Sequence, residues 1–439
     1  MSERLLEQAE RAVELARRKG AEEVRATVQR GRSVSISVRE GAVEKAQESV
    51  STSLSLGIFV DERFSTHSTS DLRPDALERF VERAVAMTRL LSPDPYRRLP
   101  EPERYGPPPA EDLELYDPAH ASLDTETRIA AAKAAESGAR AQKGPILSVT
   151  AGWSDVESES ARVHSNGFSG TVRGTRFWVG AEVSVQDEGD RRPEDWHYEG
   201  ARFRADLRDP EAIGARAAAR ALSRLGQRKL PSGTYTVVVE NRVAGRLLGS
   251  LLAPLSGSAL YLGKSFLKDR LGETIGAPTL SVVDDPLLPR GFGSRPFDGD
   301  GLPAARRTLF EGGVLRSYLL DVYYARKLGM EPTGGGTSNV VLLPGERDLD
   351  EIVAGVERGI LVTGLLGGNA DSTSGDFSHG IVGFSIEGGA LAAPIGEMNI
   401  DGNHRDLWKR LAEVGSDPYP FSAMRVPTLR FDAVEVSGL

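Results

Sequence analysis

GRLLGSLLAPLSG, residues 245–257, follows the strand-like run TYTVVVE at 234–240 and carries the apolar rhythm of a helix. After Arg246 it holds no charged or imidazole side chain, so it reads as a buried packing helix that Gly249 and Pro254 bend or end. KLPSG at 229–233 separates this strand and helix from what precedes them. Downstream, LFEGGVL at 309–315 and SIEGGAL at 385–391 each set a Gly-Gly pair between apolar runs. Adjacent glycines supply positive φ without steric cost, so both read as hairpin turns. Residues 229–439 are thus a Gly-rich, mostly β section.

Upstream the pattern is different. A helix is expected from about Leu5 to Arg18, burying Leu6, Ala9, Val13 and Ala16 and stopping at Gly20. SVSISV presents Val34, Ile36 and Val38 on one side of a strand, and SLSLGIFV presents Leu54, Leu56, Ile58 and Val60. A second helix starts at Pro74 and buries Leu77, Val81 and Val85. Seven prolines between Leu91 and Ala110 mark an extended, semi-rigid linker. Beyond it come a helix from Asp124 to about Arg140, strands at Leu147–Val156, Ala161–His164 and Gly170–Val185, and a helix from Asp209 to Leu225 with an Ala-rich face of Ala215, Ala218, Ala219 and Leu222. Helix–strands–helix therefore occurs twice, a possible duplication. The expected class is α+β: units at 1–95 and 96–228 built of helices and antiparallel strands, then the β-rich domain at 229–439.

Composition excludes several roles. Hydrophobic residues at 39% and charged residues at 27% are those of a globular chain, and no apolar run approaches the length of a membrane crossing. The charged N-terminal helix lacks the apolar core of a secretory signal, so a cytoplasmic location is expected. There is no cysteine, which removes disulfides, thiolate zinc sites and a cysteine nucleophile together. A net charge of −9 with scattered Lys and Arg opposes nucleic-acid binding.

Few groupings in the chain suit catalysis. Six histidines (His67, His120, His164, His197, His379, His404) are dispersed, with no H-E-x-x-H, and read as surface or capping residues. There is no G-x-S-x-G elbow, and GFGSRPFDGDG at 291–301 lacks the features of a phosphate loop. Asp284–Asp285 and the pair Asp298 and Asp300 read as solvated caps. PTGGGTSN at 332–339 offers backbone N–H groups that could hold an anion, or a close backbone approach. STSGDFSHG at 372–380 is the densest polar stretch. Along a strand Asp376 and Ser378 share one face while His379 takes the other, which favours binding over a nucleophile–base pair.

The stretch GGGTSNVVLLPGERDLDEIVAGVERGILVTGLLGGNADSTSGDFSHGIVGFSIEGGALAAPIGEMNIDGN, 334–403, strongly resembles the C-terminal domain of the TldD/TldE (PmbA) family. RRTLFEGGVLRSYLLDVYYARKLGMEPTG, 306–334, is similar to the segment that precedes it in that family, and the earlier sections share its layout. The resemblance implies a peptidase of two related subunits, TldD-like and TldE-like, which removes leader peptides (microcin maturation) and degrades unfolded peptides. TldD-like chains carry H-E-x-x-x-H and a late cysteine for the metal. Laid on VVVENRVAGRLLGSLLAPLSG, 237–257, the motif falls on Gly249, Ser250 and Pro254, and the cysteine is missing. Glycine and proline side chains cannot ligate a metal, and serine cannot replace a carboxylate base.

The resemblance therefore implies a TldE/PmbA-like subunit with no catalytic or metal residue of its own. Zinc is expected in a TldD-like partner, and the dimer is either that heterodimer or a self-paired homodimer. Ser338, Asn339, Ser374, Asp376 and Ser378 are the candidates to line a peptide cavity. An older association of the family's name with DNA gyrase modulation finds no support in the acidic charge. The competing readings are a stand-alone hydrolase with a metal site assembled in space and a non-enzymatic, homodimeric peptide-binding protein.

Overall fold

Alternation of apolar and polar side chains recurs through the first two hundred residues, and it builds a single antiparallel sheet. The computed structural model describes residues 2–439. Its first half runs α1 (Ser2–Arg18), β1 (Glu23–Arg39), β2 (Ala42–Val60), β3 (Arg63–Thr69), α2 (Pro74–Thr88), α3 (Thr125–Arg140), β4 (Ile146–His164), β5 (Ser169–Val185), β6 (Glu194–Ala201) and α4 (Pro210–Leu222). The strand order is β3-β2-β1-β4-β5-β6. β1 pairs with β4 from Arg25↔His164 to Arg39↔Thr150, so the two helix–strands–helix units share one continuous sheet across the linker. Even-numbered residues of β1 face the helices. Val24, Ala26 and Val28 pack beneath α1 and α2, while Val34, Ile36 and Val38 pack beneath α3 and α4.

Several expectations change in detail. SVSISV and SLSLGIFV are the halves of β1 and β2 that bury apolar residues, whereas Ala42–Ser51 is exposed along its length and carried no apolar signal. The two strands expected at 147–156 and 161–164 are one, because β4 bonds to β1 and β5 straight through its polar middle. β3 and β6, short and polar on one side, carry no strand signal in the sequence. In α1 the buried face centres on Leu5, Ala9, Ala12 and Ala16, with Leu6 only partly covered. In α4 the buried face is Ile213, Gly214, Ala217, Ala218 and Ala221, with Ala219 exposed, and the helix ends three residues early. The reason is Gly214: a Cβ there would collide with the Ala135 carbonyl, and one at Gly138 with the Glu211 carbonyl. The backbones of α3 and α4 therefore touch at their glycines, which sets the rotation of α4.

The second half continues with β7 (Gly233–Val239), α5 (Asn241–Leu252), α6 (Gly257–Tyr261), β8 (Val282–Asp284), β9 (Arg307–Glu311), β10 (Val314–Leu315) and α7 (Val322–Leu328). Then follow β11 (Val340–Leu342), α8 (Leu349–Ala354), β12 (Arg358–Leu365), β13 (Asn369–Ala370), β14 (Asp376–Glu387), β15 (Ala390–Asn403), α9 (His404–Leu407), β16 (Leu411–Val414), β17 (Met424–Arg425) and β18 (Leu429–Ser437). The pairings β12–β7–β18–β15–β14 close on themselves through β12–β14, forming a barrel. A smaller sheet has the order β10-β9-β8-β11-β17. Both Glu-Gly-Gly segments are hairpin turns, with Gly312, Gly313, Gly388 and Gly389 all at positive φ. Val237 and Val239 of β7 point into the main core with Leu247, Leu248 and Leu251 of α5, while Val238 points to α8.

The proline-rich linker is not a free spacer. Arg326 of α7 donates to the carbonyls of Arg98 and Leu99, Tyr323 donates to Asp94, and Lys327 pairs with Asp94 at 2.8 Å. No helix among the described residues is long and apolar enough to cross a membrane.

Candidate functional site

α5 is held at its start and open toward its end. Glu240, just before it, takes a two-pronged ion pair from Arg220 of α4 at 2.7 and 2.8 Å, and Arg242 reaches Asp195 of β6 at 2.8 Å. Leu247, Leu248, Leu251 and Leu252 bury the inner face. A Cβ at Gly249 would meet nothing within 4 Å, so this position looks onto open space. The Ser250 hydroxyl donates back to the Arg246 carbonyl at 3.2 Å, and Pro254 is buried in the 3-10 turn Ala253–Leu255 that closes the helix. These side chains do not fit a metal ion. Among the described residues, no group of three or more His, Cys, Asp or Glu side chains is arranged to hold one.

Beyond that turn, Ser256–Ser258 form the rim of a cleft of about 610 Å³ between the N-terminal sheet and the C-terminal domain. One wall is the sheet face turned away from the helices: Arg25 and Thr27 of β1, Ser55 of β2 and Arg162 of β4. Thr27 lies directly opposite both Ser55 and Arg162, so the four side chains share that face. The facing wall carries Asp298, Asp300 and Asp321, with Arg295 and Gly334–Gly336. Arg162 stitches the walls together by donating to the carbonyls of Asp298 and Gly299 at 2.8 and 2.9 Å. Burial pushes the carboxyls of Asp298 and Asp321 upward, reinforced at Asp298 by neighbouring Asp300, and pushes the Arg162 guanidinium downward. The glycine loop is held from behind: Arg307 donates to the carbonyls of Gly335 and Gly336, and Arg295 donates to that of Gly336. Gly334 and Gly335 stand at φ of +91° and +63°, a conformation that suits glycine.

The five residues expected from sequence to line a peptide cavity fall in two places, neither of them among the charged groups of the cleft. Ser338 and Asn339 are interior: the Ser338 backbone and hydroxyl donate to Asp284, and the Asn339 amide donates to Asp285 and Ser294. They buttress the loop whose first half, Gly334–Gly336, lines the cleft. Ser374, Asp376 and Ser378 belong to the β13–β14 hairpin. Asp376 is exposed and accepts from Asn403 at 2.8 Å, while Phe377 and His379 turn inward.

Five of the six histidines are buried, which corrects their reading as surface or capping groups. Each of the five finds a polar or ring neighbour in the fold: His120 pairs with Asp155, His197 with Glu199, His164 with Tyr105, and the indole of Trp408 donates to His404. His379 and His404 flank Phe377, and burial pushes His404 down to about 4. Asp284 and Asp298 are likewise buried, not solvated. Asp284 is paired with Arg307 at 2.9 Å. Arg25, Arg162, Arg295 and Asp321 gave no sequence signal, because they converge from strands and loops far apart in the chain.

Residues 24–88, 118–225 and 232–438 match domain 1, the central domain and the C-terminal domain, respectively, of the PmbA/TldA metallopeptidases. Metalloprotease PmbA of Escherichia coli O157:H7 is 32% identical over 99% of this chain and 96% of that protein. A PmbA homologue of Haemophilus influenzae is 30% identical over 97% of this chain and 94% of its own length. A crystal structure from Bacteroides thetaiotaomicron, described as a modulator of DNA gyrase, superposes with a TM-score of 0.96 at 38% identity, covering 99% of this chain and 98% of that one. TldE from Thermococcus kodakarensis has the same fold, with a TM-score of 0.83 at 22% identity over 98% of this chain and 100% of that one.

Proposed function

The chain belongs to the PmbA/TldA metallopeptidase family, and on that premise we propose that it is a non-catalytic, TldE/PmbA-type subunit of a two-subunit peptidase. The supporting observation is the chemistry of α5. Gly249 and Ser250 on the helix and Pro254 in its closing turn offer no ligand and no carboxylate base where the family resemblance sets its metal motif. The metal, zinc on this reading, and the general base then reside in a TldD-like partner, and no hydrolytic step passes through this chain.

What this chain contributes is surface. The outer edge of β2 from Ala42 to Thr52 has no strand beside it among the described residues, since β3 covers only Leu54–Val60. An unpaired strand edge accepts another extended segment through main-chain hydrogen bonds, with little demand on its side chains. The β13–β14 hairpin, with Asp376 exposed and Ser374 and Ser378 partly so, presents polar groups suited to the same kind of peptide. A partner that walls the cavity and excludes water lets the other subunit hydrolyse a held peptide.

Co-expression with a TldD-like chain from the same genome, a pull-down at mild salt and an assay on an unstructured peptide test this. The expected result is a stable pair that cleaves the peptide, with no cleavage by this chain alone. Cleavage by the purified chain, or stoichiometric zinc bound to it, overturns the reading.

A further inference from the structure

The cleft between sheet and C-terminal domain has unlike charges on its two walls. Arg25 and Arg162 project from neighbouring strands on one side, and Asp298, Asp300 and Asp321 lie on the other, together with Arg295, whose Nη groups donate to the Thr337 and Gly336 carbonyls. Among the described residues neither of the sheet arginines is saturated. Arg25 makes long contacts there, 3.4 Å to the Gly299 carbonyl and to Asp300. Arg162 uses Nε on Thr27 and Nη1 on two carbonyls, and its Nη2 has no acceptor among the described residues. On the acidic wall, Asp298 Oδ1 accepts from the Asp300 and Leu302 amides, and Asp321 Oδ1 accepts from the Tyr324 amide. The second oxygen of each has no donor among the described residues. Asp298 is only 4% exposed, so its carboxylate lacks the hydration that an open surface would give it.

We propose that this cleft binds a small zwitterion, a free amino acid or short peptide, with its α-carboxylate on Arg25 and Arg162 and its α-ammonium between Asp298 and Asp321. A guanidinium pair matches a carboxylate through parallel N–H···O bonds, and a carboxylate pair matches the three donors of an ammonium. A simple anion would satisfy one wall and be repelled by the other, and a simple cation the reverse. The volume of about 610 Å³ lies within the range of small-ligand sites. Gly299 and Gly334–Gly336 keep side chains out of the space, and Arg295 and Arg307 hold the glycine loop still by its carbonyls. Raised carboxyls at Asp298 and Asp321 fit groups that await a cation.

The ligand is held by this chain alone, so the assignment goes beyond the subunit reading, and its failure leaves that reading untouched. Calorimetric titration of the purified full-length chain with alanine, dialanine, trialanine, N-acetyl-dialanine, dialanine amide and inorganic phosphate tests it. At least one free zwitterion gives saturable binding, and the three lengths show whether an amino acid or a peptide fits. Capping either end of dialanine weakens binding at least tenfold, and phosphate does not bind. Arg25→Gln and Asp321→Asn each weaken the best ligand at least tenfold with unchanged melting temperature, the asparagine preserving the helix cap. Absence of saturable binding, equal binding of capped and free dialanine, binding of phosphate, or unaltered affinity in both variants overturns the proposal.

Discussion

His404 illustrates how burial reshapes a single side chain. Its ring lies between Phe266 and Phe377, and its Nδ1 accepts from the Trp408 indole, so the neutral form is the one that fits. The folded protein holds it down to about 4, against about 6.5 in an unfolded chain. The unfolded state therefore binds the proton first as pH falls. The stabilising contribution is complete above about pH 6.5 and is lost progressively toward pH 4. His404→Gln should show a smaller fall in urea midpoint between pH 7 and pH 4.5 than the parent chain. Gly249 gives a prediction of the other kind. Nothing crowds a Cβ there, so Gly249→Ala should raise stability by about 0.5–1 kcal/mol, the helix-propensity difference, in a chemical denaturation curve.

Between elements, the same substitution changes sign. At Gly214 a Cβ runs into the Ala135 carbonyl, so Gly214→Ala must push α4 away from α3. A loss of about 1–3 kcal/mol is expected, in spite of alanine's better helix propensity. The two glycines look alike as sequence, each inside an apolar helix, and only the neighbouring backbone separates them. α5 itself is bound by its leucines. Leu251→Ala should cost about 2–5 kcal/mol, as Leu251 is wholly buried in the main core. Helix starts at Pro74 and Pro210 and the Gly-Gly turns were legible, because each depends on the local chemistry of proline or glycine. β3, β6 and the exposed half of β2 were not, because pairing holds them in the sheet and their own hydrophobicity does not.

For the whole molecule, the shared sheet makes a firm prediction. β1 bonds to β4 along fifteen residue pairs, from Arg25 to Arg39. The outer half of β1 rests on α3 and α4, which lie beyond the linker. A fragment of residues 1–228 should unfold in one cooperative transition followed by circular dichroism, and a fragment of residues 1–95 should show none. The sequence alone determined the α+β class, the glycine-rich β domain and the family, since periodicity, turn chemistry and contiguous motifs are properties of neighbours along the chain. It also shows that residues 247–257 hold no charged or imidazole side chain. Tertiary structure decided which histidines and aspartates are buried, how α4 is turned and where the linker docks. It alone brought Arg25, Arg162, Asp298 and Asp321 to one cleft. The cleft and the docked linker depend on contacts such as Arg162 with Asp298 and Tyr323 with Asp94, more than a hundred positions apart, and α4 is turned by the contact of Gly214 with Ala135. Packing between elements leaves no periodic trace in the segments that make it.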